Sequence, residues 1–142
     1  MAWAVNMTRA CKGCGSTRAL VNAHVLPHAF YARMAKADGA LQHLELGRYR
    51  KKSWLGFYDP EILCSSCDNR LSILDEYGAQ VLLTSFDEPA RFHRDSVGRI
   101  VAIDAAHVDR DRILRFFVSI LWRAALSRKG PYRNVDLHGV IK

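Results

Sequence analysis

Four residues of this chain are built to hold a metal ion, and they come as two matched pairs: Cys11-Lys12-Gly13-Cys14 and Cys64-Ser65-Ser66-Cys67. They are the only 4 cysteines among 142 residues. A C-x-x-C pair offers two thiolates to one ion. Two such pairs give the closed four-cysteine tetrahedron that Zn2+ takes in structural roles. Between them lies the segment richest in chemistry, Ala23-His24-Val25-Leu26-Pro27-His28. An imidazole exchanges a proton near neutral pH, because its unperturbed pKa lies at about 6.5. The expectation is a zinc staple that joins a hairpin to a helix and holds His24 at a phosphate.

The elements that must position these residues follow in order. Residues 8–15 read as a zinc knuckle, with Gly13 and Gly15 permitting a tight turn whose amides face the sulfurs. Leu20 to Ala23 is a short strand. Pro27 suits a helix start, and Phe30, Tyr31 and Met34 then share one face of a helix over 28–37, which Asp38-Gly39 ends. Leu44 and Leu46 alternate with polar residues as a strand does. Asp59-Pro60 breaks the chain before the second knuckle. A helix runs from Ser66 to about Leu83 and buries Leu71, Leu74, Val81 and Leu82. Its start puts Cys64 on the approach and Cys67 in the first turn. After a loop over 84–98, Arg99 to Ile103 is a strand that can pair with the chain around Phe92.

The last helix, Asp109 to Leu126, is the most apolar stretch. From Ile113 onward only Arg115, Ser119 and Arg123 form a polar stripe, at four-residue spacing. It is too short and too charged to span a bilayer. So apolar a helix is expected to be buried on several sides, in the core or against another chain, with 113–126 as the contact surface. Arg115 and Arg123 are expected to pair with buried or interface acids, and Asp75 to be a salt-bridge partner.

Composition fits one domain over 1–142, divided into a zinc-stapled lobe over 8–83 and a loop, strand and apolar helix over 84–142. The chain is 49% hydrophobic and 25% charged, with 21 Lys and Arg against 14 acids and a net charge of +7. Four thiolates around one dication lower that to about +5. The excess points to a polyanion, with nucleic acid first. Arg48-Tyr49-Arg50-Lys51-Lys52 is the densest positive run; beside Trp54 and Tyr58 it is a candidate phosphate contact, or else a solvated loop. Met1 to Met7 lacks the charged start, apolar run and cleavage site of a signal peptide. A cytoplasmic setting is therefore expected, where thiols stay reduced and bind metal; the competing reading is two disulfides in a secreted chain.

A knuckle, a hairpin and a helix around one zinc make a treble clef. The fold class is therefore α+β, a treble-clef lobe with a helical C-terminal part. Cys11-x-x-Cys14, then Ala23-His24-Val25-Leu26-Pro27, then Leu63-Cys64-x-x-Cys67-Asp68 resembles the HNH endonuclease superfamily, in its zinc-stapled bacterial and phage branch with an S-H-I-I-P-like motif. Leu71-Ser72, Asp75, Tyr77, residues 119–124 and Asn134-Val135-Asp136-Leu137 extend the likeness over most of the chain from Cys11 onward.

That resemblance implies a ββα-metal site. His24 would be the general base that takes a proton from the water attacking phosphorus in DNA. Mg2+ or Mn2+ would stabilise the leaving oxygen, held by Asp68, a hard oxygen ligand. His28 is a further candidate contact to metal or phosphate. The sequence departs from the pattern at two places. Ala23 stands where many members carry a carboxylate ligand. The middle Asn has no counterpart, and Asp59 is its candidate replacement. These departures motivate two rivals: a zinc-stabilised nucleic-acid-binding module without cleavage, and a protein-interaction subunit that docks through the apolar helix.

Overall fold

A computed structural model describes residues 9–35, 41–43, 51–53, 56–85, 88, 91–127 and 129–137, with residues 42–43 and 51–53 described by backbone alone. The chain runs β1 (Ala23–His24), α1 (His28–Met34), β2 (Leu41–His43), β3 (Lys51–Ser53), β4 (Tyr58–Asp59), α2 (Ser65–Ala79), β5 (Phe92–Arg94), β6 (Ile100–Ile103) and α3 (Arg110–Ser127). The strands form three antiparallel ladders of two, β1–β4, β2–β3 and β5–β6. The protein is thus α+β, with small sheets and two long helices.

The first knuckle closes on itself through the Gly15 amide, which donates to the Cys11 carbonyl at 2.8 Å. Gly15 sits at φ 72°, a left-handed conformation open to glycine at little cost. The Lys12 amide then donates to Ile62 at 2.8 Å, and that of Val21 to Leu63 at 2.9 Å. These bonds lay the approach to the second knuckle along the first. Cys11, Ala23, Ile62, Leu63 and Cys64 form the buried centre, with Leu20, Leu71, Trp122 and Leu126 packed on it.

The helix expected over 28–37 runs His28–Met34, with Pro27 as its cap, and ends early at Ala35, which is extended at φ −64° and ψ 142°. Cys64, extended at φ −82° and ψ 163°, is the residue before α2. That helix runs on as a π-helical turn over Gln80–Thr84, so the expected end near Leu83 holds. β5 supplies the partner expected for the strand at 99–103, with Phe92 opposite Ile103. The expected features at 38–39, 44 and 46 lie outside the described residues.

α3 packs on α2 where Gly78 lets Phe116 in. A Cβ at Gly78 would stand 2.5 Å from the Phe116 ring, so the close approach requires glycine. Phe116 is buried and stacks on Phe30, with ring centroids 5.9 Å apart. Within the chain α3 is covered on one face. Its buried face carries Phe116, Ser119, Arg123, Ala124 and Ser127. Leu114, Phe117, Val118 and Leu121 are 46–61% exposed. Most of the polar stripe turned inward, and its charge found an acid there.

Candidate functional site

The four cysteine sulfurs all lie within 4.8 Å of one another. Cys14 and Cys64 stand 3.8 Å apart, sulfur to sulfur. A tetrahedral Zn2+ with bonds of about 2.3 Å spaces its sulfurs by about 3.8 Å, and a disulfide would need about 2.05 Å. The donor set and its spacing fit zinc. Amides of Gly13, at 3.4 Å, and Cys64, at 3.3 Å, donate to the Cys11 sulfur. Burial opposes ionisation of Cys11, yet amide donors from Cys64, Cys14 and Gly13 outweigh it and pull the thiol down to about 6. Cys67 is pushed up to about 12, chiefly by its hydrogen bond with Cys14 and then by burial. One thiolate in so tight a group makes the next costlier, and a dication removes that cost. The position at Gly13 is confined too, since a Cβ there would lie 3.1 Å from the Cys67 sulfur.

Beside this cluster, β1 and the start of α1 face α2 across an open cleft of ≈ 250 Å³. His24 and His28 line one wall; Asp68, Ser72, Asp75 and Glu76 line the other, on one face of α2; Arg123 reaches in from α3. The His24 and His28 rings stand edge to face with centroids 5.8 Å apart. Tyr58, opposite His24 in the β1–β4 ladder, places its ring 6.1 Å from that of His24. The carboxyl of Asp68 titrates above its ordinary range because it is half-buried; Arg123 pulls it back down, Asp75 pushes it up and His24 pulls it down. His24, His28 and Asp68 therefore line one cleft.

Asp59 does not join them. In the β1–β4 ladder it pairs with Ala23, while His24 pairs with Tyr58. Successive side chains of a strand point to opposite faces. Asp59 thus shares the face of Ala23, away from the imidazole. Its carboxylate is 1% exposed and accepts from the Ser127 hydroxyl at 2.8 Å, the Glu61 amide at 2.9 Å and Lys129 at 3.4 Å. It holds the turn after β4 and the end of α3, outside the lining of the cleft that His24 and Asp68 share. Ala23 itself is fully buried in the central cluster, so a side chain at that position faces the core.

Arg123 and Asp75, each expected to pair with an opposite charge, pair with each other: Arg123 is 1% exposed and donates to the two carboxylate oxygens of Asp75 at 2.6 and 2.8 Å. The spacing of charges gave no hint of its further bond, to the His24 carbonyl at 3.0 Å. The polar stripe inside an apolar helix was the available signal. Arg48 and Arg50 lie outside the described residues. Lys51 and Lys52 fall in β3, opposite His43 and Gln42. Among the described residues the cysteines are the one group of three or more candidate ligands that converges; His24, His28, Asp68 and Asp59 form no second such group. Among the described residues no helix is long and apolar enough to cross a membrane. Set against models of known protein families, against curated proteins and against solved structures, the chain matches none.

Proposed function

We propose that this chain is an HNH-type endonuclease, hydrolysing phosphodiester bonds of DNA on a treble-clef zinc lobe. The observation that carries the reading is the meeting of His24 and Asp68 in one solvent-open cleft between β1 and α2, the helix whose start carries two of the four clustered cysteines. His24 takes the proton of a water as that water's oxygen bonds to phosphorus. The ester oxygen on the far side leaves and is protonated from solvent. Mg2+ or Mn2+ bound at Asp68 would supply positive charge to the leaving oxygen and the phosphate. His28 lies where it can steady the same phosphate. The net charge of +7 favours the DNA backbone as partner, and an intracellular, reducing setting suits thiolates on zinc.

The test is cleavage of plasmid DNA with Mg2+ or Mn2+. His24→Ala is expected to lower the rate by about 10²–10⁴-fold while zinc content and helical signal stay. Equal rates in mutant and wild type, or no cleavage by the wild type with either ion, would sink the reading.

A second reading rests on α3. Leu114, Phe117, Val118 and Leu121 recur at helical spacing on its solvent side. Contiguous apolar patches of this kind mark contact sites. They favour a zinc-stabilised binding module that meets a second copy or a partner protein there.

A further inference from the structure

Arg123, 1% exposed like Asp59, is one of the two most deeply buried charges in the described residues, and all five of its N–H donors are engaged. Nε donates to the Ser119 carbonyl at 3.3 Å. Nη1 donates to the His24 carbonyl at 3.0 Å and to Asp75 Oδ2 at 2.8 Å. Nη2 donates to Asp75 Oδ1 at 2.6 Å and to the Ser119 hydroxyl at 3.3 Å. The fork therefore joins three elements: α3, which carries it; α2, which carries Asp75 and Asp68; and β1, which ends at His24. β1 is two residues long, and its ladder stops at the His24–Tyr58 pair. Such a short ladder leaves the peptide after His24 to be fixed by other bonds, and Arg123, itself buried, provides one.

We propose that Arg123 is the positioning residue of the His24 site: it locks the His24 peptide to α2 and so sets the distance from the imidazole to Asp68. The same fork occupies both oxygens of Asp75, which leaves Asp68 and Glu76 as the cleft carboxylates that it does not engage. The role of this lock in catalysis rests on the hydrolase reading above; the lock itself does not. A lysine cannot substitute, because its single ammonium has three donors and no planar fork.

The test uses the full chain loaded with zinc and labelled with 13C at histidine Cε1. The His24 signal is identified among six histidines by its loss in His24→Ala. Two variants are compared. Arg123→Lys keeps the charge and loses the fork. Arg123→Met combined with Asp75→Leu removes the pair together, so no lone charge stays buried. Expected in both is a shifted or broadened His24 signal with those of His93 and His107 unchanged. Where the wild type cleaves DNA, kcat should fall by about 10²-fold with KM near its original value. A wild-type His24 signal in the double variant overturns the proposal, as does unchanged kcat in a chain that His24→Ala inactivates. Collapse of both variants, seen as lost zinc and lost helix, also overturns it, since Arg123 would then serve stability alone. An inactive wild type sinks the hydrolase reading only, and the imidazole signal still decides this one.

Discussion

A carboxylate as buried as Asp59 must be met by donors, and the shortest of its contacts is to the hydroxyl of Ser127, also buried, at 2.8 Å. Lys129 is half exposed and 3.4 Å away, so water screens it and it adds little. Asp59→Ala strands the hydroxyl and frees the Glu61 amide, which should cost about 1–3 kcal/mol. Ser127→Ala alone should cost a similar amount, and the double variant clearly less than the two losses together, because they break one interaction. Thermal unfolding of the three variants measures this; strict additivity would show that the bond contributes nothing. Cleavage below the melting temperature should survive Asp59→Ala if the carboxylate only holds the turn. Residue type could not separate this role from catalysis. An Asp five positions before Cys64 suits either, and the choice was made by which of two strand faces it took. The cysteines are the opposite case. Their spacing is a local rule, and it stayed true wherever the intervening fifty residues went.

At the scale of elements, α3 was legible in its extent and not in its orientation. A helix apolar around most of its circumference has no single hydrophobic face for periodicity to find. The deciding contacts are Asp75, which lies 48 residues from Arg123, and Gly78, whose missing side chain admits Phe116. Two adjacent phenylalanines therefore have opposite fates. Phe116→Ala empties a site that is 1% exposed and should cost about 3–5 kcal/mol. Phe117→Glu, on a side chain that is 46% exposed, should change monomer stability by no more than about 0.5 kcal/mol. Denaturant unfolding of both variants checks the contrast, and equal losses would mean that another surface covers Phe117. Light scattering on the same samples tests the second reading. If copies meet through α3, Phe117→Glu with Leu121→Glu brings a larger mass down to the 16.1 kDa monomer.

Across the whole molecule, three hydrogen bonds among the described residues tie α3 to segments 68 or more positions away. Lys12, in the first knuckle, donates to the Leu126 carbonyl at 2.7 Å, where a cation also favours a helix C-terminus. Ser127 reaches Asp59, and Arg123 reaches His24. None of these long-range ties can be read from a sequence, since each pairs residues 68 or more positions apart. They predict that the cysteine cluster governs more than its own loop. Stripping zinc with a chelator should free the two knuckles, release β1 and α2, and leave α3 with a buried arginine and no partner. Helical circular dichroism and tryptophan fluorescence should then fall in one shared transition. Zn2+ should restore both, and Mg2+ neither. Because the ion binds the folded chain, each tenfold rise in free zinc above its dissociation constant should add about 1.4 kcal/mol to stability. Two separate transitions, with a helical signal that persists in excess chelator, would show that α3 folds without the zinc lobe.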